Sequence, residues 1–129
     1  MIEYSINTEE KLLYCNISGE IKLVNFTDYI NELVANEKFH HQLNTIINVS
    51  ENTSISYASE AAGIGQFFSE FILQRKGVAW AFVMSSNTTM GLARLIVEEI
   101  DSSPINIEYF STEAEAKKWI AELESTKTI

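Results

Sequence analysis

Apolar and polar residues alternate through Ile2, Tyr4 and Ile6, and again through Leu13, Cys15 and Ile17, with the polar turn Thr8-Glu9-Glu10-Lys11 between the two runs. That pattern predicts an antiparallel hairpin at the start of the chain. Gly19 and the short extended piece Ile21 to Val24 are expected to carry the second strand past a bulge or bend. The period then changes. Phe26, Tyr29, Ile30, Leu33 and Val34 paint one face of a helix, with Asn25 as its expected N-cap and Asp28 near the positive end of its dipole. A polar stop at Asn36-Glu37-Lys38 separates that helix from the strand Thr45-Ile46-Ile47-Asn48-Val49.

The second half repeats the alternation of strand and helix. Tyr57, Ala61, Ile64, Phe68, Phe71 and Ile72 keep helical spacing as far as Arg75-Lys76, with Ser54 or Ser56 as the expected cap and Gly77 as the stop. The run GVAWAFVM, Gly77 to Met84, is almost continuously apolar, as a central strand covered on both faces requires. Met90, Ala93, Ile96, Val97 and Ile100 predict a third helix, and Pro104 introduces the alternating strand Ile105, Ile107, Tyr109. The capping box Thr112-x-x-Glu115 opens a last helix that buries Ala116, Trp119, Ile120 and Leu123, and the tail Ser125 to Ile129 is expected to fray. This order predicts an α/β fold: a single mixed, mostly parallel sheet of about five strands, an N-terminal antiparallel hairpin and about four helices.

Composition narrows the class further. The 129 residues fit one domain, 1–129, and 46% hydrophobic with 21% charged residues is an ordinary globular balance. A net charge of −9 removes nucleic acid as a general partner, because phosphate neutralisation needs clustered Lys and Arg. MIEYSINTEE lacks the basic and apolar regions of a secretion signal, and no apolar run is long enough to span a membrane. The expected location is therefore cytoplasmic. The single cysteine, Cys15, sits in a strand and is read as a buried, inert thiol. No cofactor and no metal site are expected: His40 and His41 are adjacent, point apart, and belong to a surface loop.

The order of elements, with Ile17-Ser18-Gly19-Glu20, Asn36-Glu37-Lys38-Phe39, Gly91-Leu92-Ala93-Arg94, Tyr109-Phe110-Ser111, Glu115-Ala116 and Trp119-Ile120, resembles SpoIIAA-like proteins of the bacterial STAS superfamily. That group includes anti-sigma-factor antagonists and sulfate-transporter domains, and shares its architecture with CRAL-TRIO-type lipid-binding domains. The resemblance covers nearly the whole chain. It implies a switch serine in an Asp-Ser-Ser/Thr-Gly motif at the helix after the third strand. Here that place reads Thr53-Ser54-Ile55-Ser56-Tyr57-Ala58-Ser59-Glu60, so Ser54, Ser56 and Ser59 stand as the candidate phospho-switch or anion site without the motif itself.

Other candidates follow from the topology. In a parallel sheet the loops after the third and fourth strands share one edge, where α/β folds bind ligands, so Ser85, Ser86, Asn87, Thr88 and Arg94 form a candidate ligand-edge group. Helix capping alone is the simpler reading of these hydroxyls. No catalytic residue is assigned: a serine nucleophile would need a base, and Gly63-x-Gly65 lies inside a helical run with no Walker lysine after it. Phe67, Phe68, Phe71 and Ile72 make the long helix apolar around more than one face; core packing explains one stripe, and the surplus fits further core, a pocket beneath the helix, or an interface. The leading expectation is a non-enzymatic regulatory or protein-interaction module with a protein partner or a second copy. The alternatives are a carrier of a small apolar or lipid-like ligand and a Ser/Thr phosphorylation switch.

Overall fold

The computed structural model describes residues 1–73, 75, 77–84, 86–98 and 105–127. Strands β1 (Ile2–Asn7) and β2 (Leu12–Ile17) are followed by α1 (Leu23–Ala35), β3 (Asn44–Val49), α2 (Ala58–Ile72), β4 (Ala79–Val83), α3 (Asn87–Glu98), β5 (Asn106–Phe110) and α4 (Glu113–Lys127). One five-stranded sheet holds the strands in chain order, β1-β2-β3-β4-β5. β1 is antiparallel to β2, and β2 through β5 are parallel. This is the α/β fold that the periodicities predict, a mixed sheet with a hairpin at one side.

The in-line strand order dictates where the helices lie. Each parallel step moves the same way across the sheet, and right-handed crossovers then put every connecting helix on one face. α1, α2 and α3 accordingly share a large core with that face, including Leu13, Ile47, Phe68, Trp80, Phe82 and Ala93. α4 follows β5 and covers the other face, where Ala116 and Ile120 meet Leu12, Ile46, Ala79 and Ala81. Alternation along β4 sorts the two sides: Trp80 and Phe82 enter the large core, while Ala79 and Ala81 form a low surface for α4.

Several boundaries differ from the sequence reading, each for a local reason. α1 begins at Leu23, so Asn25 works from inside the first turn, its Oδ1 accepting the Lys22 N–H at 2.7 Å. Extended backbone stops at Glu20, which pairs in a short parallel bridge with Ser54; the Ile21 N–H donates to the Ser54 carbonyl at 2.8 Å. That bridge keeps Ser54 out of α2, whose N-cap is Tyr57, with no side-chain cap bond. α2 ends at Ile72, short of Arg75, and Gly77 at φ 80° turns the chain into β4. Ile100, Pro104, Lys76 and the tail at 128–129 lie outside the described residues.

One buried amide ties β3 to both β4 and α4. Asn44, at the start of β3, accepts the Ala79 N–H of β4 on Oδ1 at 2.9 Å and donates from Nδ2 to Glu124 of α4 at 2.9 Å. The Ala79 N–H is buried, so losing its acceptor costs more than losing the exposed carboxylate. Asn44→Ala is expected to destabilise the fold by about 1–3 kcal/mol. Glu124→Gln, which keeps an acceptor, should change stability by less than about 0.5 kcal/mol, both read from urea unfolding curves.

Candidate functional site: an apolar cavity over a buried guanidinium

Between α2 and the sheet the large core leaves a cavity of about 60 Å³. Its floor is the inward row of the central strands, Thr45, Ile47 and Val49 of β3 with Trp80 and Phe82 of β4. Tyr29 of α1, Phe68 and Phe71 of α2 and Ala93 of α3 complete the walls.

At the Thr45 end sits a residue that no periodicity predicts. Arg75 follows α2 and is 1% exposed. Its backbone is pinned between the two elements it connects, its N–H on the Ile72 carbonyl at 2.9 Å and its carbonyl on the Val78 N–H at 3.2 Å. The side chain is turned into the core. Nε donates to the His41 carbonyl at 3.1 Å, and Nη2 donates to the Leu43 carbonyl and to Thr45 Oγ1. The guanidinium carbon lies 5.8, 5.6 and 5.9 Å from the ring centres of Phe39, Phe71 and Trp80, an arrangement that replaces lost hydration with cation–π attraction.

The electrostatics of this corner are one-sided. Among the described residues no carboxylate pairs with Arg75. Burial pulls the guanidinium down to about 10, against a smaller opposing influence from Tyr29, so it stays charged at neutral pH. Trp80, 4% exposed, presents a buried Nε1 with no partner among the described residues. His41, read from sequence as a surface residue, is half-buried against Phe39 and Phe71, with its Nδ1 also unpartnered; His40 is exposed as expected. The opposite wall is inert. Burial pushes the Cys15 thiol up to about 12 despite a hydrogen bond from Tyr29, and burial raises the Tyr29 hydroxyl well above its ordinary value.

The sequence candidates divide around this cavity. Phe68 and Phe71 form its roof, Phe68 edge-on to Trp80 at 5.4 Å and to Phe26 at 5.2 Å. Ile72 is wholly buried in the core beside it, and Phe67 is half-buried against Phe68. The serines do not gather into one site. Ser54 is held by its backbone to Gly19 and Ile21, Ser56 donates to the Glu20 carboxylate at 2.6 Å, and Ser59 is exposed. The Glu60 carboxylate accepts the Leu23 N–H at 2.7 Å, so an anion at the start of α2 would meet the charges of Glu20 and Glu60.

The sheet-edge group separates as well. Ser86 caps α3, its Oγ accepting the Thr89 N–H at 3.2 Å, and Asn87 is the exposed first residue of that helix. Arg94 lies over the Tyr109 ring at 5.4 Å, beside β5 and away from the loops it was expected to join. Ser85, like the Thr88 side chain, lies outside the described residues. The edge does carry an open crevice of about 270 Å³, but it is lined by Asn16, Ser18, Asn48, Ser50 and Ser111. Arg75 and Trp80 are the residues that sequence reasoning passed over. The available signal was position: a cation placed between the most apolar helix and the most apolar strand.

Among the described residues no cluster of His, Cys, Asp or Glu could hold a metal, and no helix is long and apolar enough to cross a membrane. No protein-family model, curated protein or solved structure matches this chain.

The Cys15 thiol yields a pH dependence with a definite sign. Its value in the fold, about 12, exceeds the 9.0 of an unfolded thiol. The stability it contributes is complete below pH 9 and is lost as pH rises toward 12, because only the unfolded chain gives up the proton there. One pH unit above 9.0, the parent protein is expected to have lost about 1.4 kcal/mol more than Cys15→Ala, as compared by urea unfolding against neutral pH.

Proposed function

We propose that the protein is a binding module for a small apolar molecule held in the cavity between α2 and the sheet. The cavity is the observation that carries this reading. Protein cores pack to the density of organic crystals, and a void of 60 Å³ forgoes roughly 1.4 kcal/mol of packing. It sits at the centre of the largest core cluster, where one larger side chain at Ala93 would fill it.

The same facts give less support to the interaction-module reading. Phe68 and Ile72 spend their apolar surface inside, so α2 offers no continuous outer stripe. The large apolar residues it does expose, Tyr57 at 69% and Leu73 at 58%, stand at its two ends, roughly 24 Å apart. A serine switch has the Ser56–Glu20 bond against it, since a phosphate there would face a carboxylate. Kinship with STAS-like proteins is compatible with the element order and, as a proposal, adds no chemistry to the cavity.

Trp80 on the cavity wall supplies the test. Titration with a short neutral series, methanol to propan-1-ol, is expected to change tryptophan fluorescence saturably, and Trp80→Phe should abolish the response. Ala93→Leu should weaken binding at least about ten-fold while circular dichroism stays unchanged. A linear, non-saturating response in the parent protein would sink the proposal.

A further inference from the structure

The carboxyl ends of the parallel strands carry a second concavity of different chemistry. On the face covered by α4, Ala116 and Ile120 reach Ile46 of β3 and Ala81 of β4, and the next residues outward on that face are Asn48 and Val83. Asn16 of β2 stands in register with Asn48, and Asn48 with Val83, so two carboxamides lie side by side on adjacent strands. Asparagine is disfavoured in strands, and propensity alone favours a β-branched residue at both positions. The open crevice of about 270 Å³ is lined by this pair and Val83, together with Ser18 after β2, Ser50 after β3, and Ser111 between β5 and α4. Ligands of α/β folds bind outside the carboxyl ends of the strands, which is where these residues converge.

We infer that this crevice binds a small neutral polyhydroxylated molecule, a single-ring sugar or cyclic polyol, with its hydroxyls on Asn16, Asn48 and the three serines and its C–H surface against Val83. The lining carries no charged side chain among the described residues. An ion entering it would lose hydration without gaining a counter-charge, and an anion would also meet a chain at −9. The inventory of donors and acceptors selects hydroxyls. A carboxamide offers an acceptor oxygen and an NH2 donor, and a serine offers both roles on one atom, so the matching ligand groups must donate and accept as well. Among the described residues none of the five polar side chains has a hydrogen-bond partner within the protein, which leaves all of them to a ligand. The volume falls just under the roughly 300 Å³ at which pockets for drug-sized ligands begin, which suits one ring. The crevice shares no polar group with the apolar cavity and is independent of what that cavity holds.

Proton–nitrogen NMR correlation spectra of the labelled protein test the assignment, with D-glucose, D-ribose and myo-inositol as neutral probes and D-glucuronate and D-glucosamine as charged ones. The titrations are run at about pH 6, where the acid and the amine are both ionised. At least one neutral compound is expected to shift the side-chain amide signals of Asn16 and Asn48 saturably, and to bind at least about ten-fold more tightly than either charged sugar. Asn16→Val combined with Asn48→Val, which suits both strands, should weaken that binding at least about ten-fold, followed through the backbone amides of Ser50 and Ser111, with no fall in the urea midpoint. If the double variant does not fold, Ser50→Ala at an exposed position takes its place, with a several-fold loss expected. Shifts that grow only linearly with every neutral compound, a charged sugar that binds as tightly as the best neutral one, or an affinity unchanged in the folded variant overturns the inference.

Discussion

The guanidinium of Arg75 is the constraint around which this molecule is organised. It lies just beyond the helix α2, takes carbonyls from the segment before β3, and stacks against a ring on β4. Three stretches of chain are thereby held in one arrangement. Desolvating a charge is expensive, and a core of this size could have been closed more cheaply by a methionine. A carbonyl-and-ring cage softens the penalty without neutralising the charge.

What the sequence made legible follows from how each feature is encoded. Period-two and helical spacings are repeated over many residues, so the hairpin, the buried β4 and the four helices could be read directly, and with them the parallel sheet. Ends are set by single contacts between distant segments, and these have no local signature. The bridge between Glu20 and Ser54 shortened α2, and the Glu60 carboxylate that caps α1 comes from a different helix. Serine clusters near helix starts suggested caps; Ser86 is one, while Ser54 and Ser56 are engaged elsewhere.

The candidate site was half visible for the same reason. An excess of Phe on α2 left a pocket beneath that helix, an interface and plain core open, and Phe68 and Phe71 line the cavity. Arg75 escaped because a basic residue after a helix is ordinarily solvated, and only the turn made possible by Gly77 sends its side chain inward. Trp80 was read as bulk in an apolar strand. Its unpartnered N–H exists only in three dimensions, where no carbonyl of the described core comes within reach.

The in-line order of strands also leaves the sheet with two open margins, β1 and β5. Both are short, and each carries an exposed glutamate on its solvent side, Glu3 and Glu108. A second copy that tried to extend the sheet through either margin would bring its own acidic edge, on a chain already at −9, against another of the same sign. The net acidity thus acts as a deterrent to edge-to-edge pairing of an open sheet.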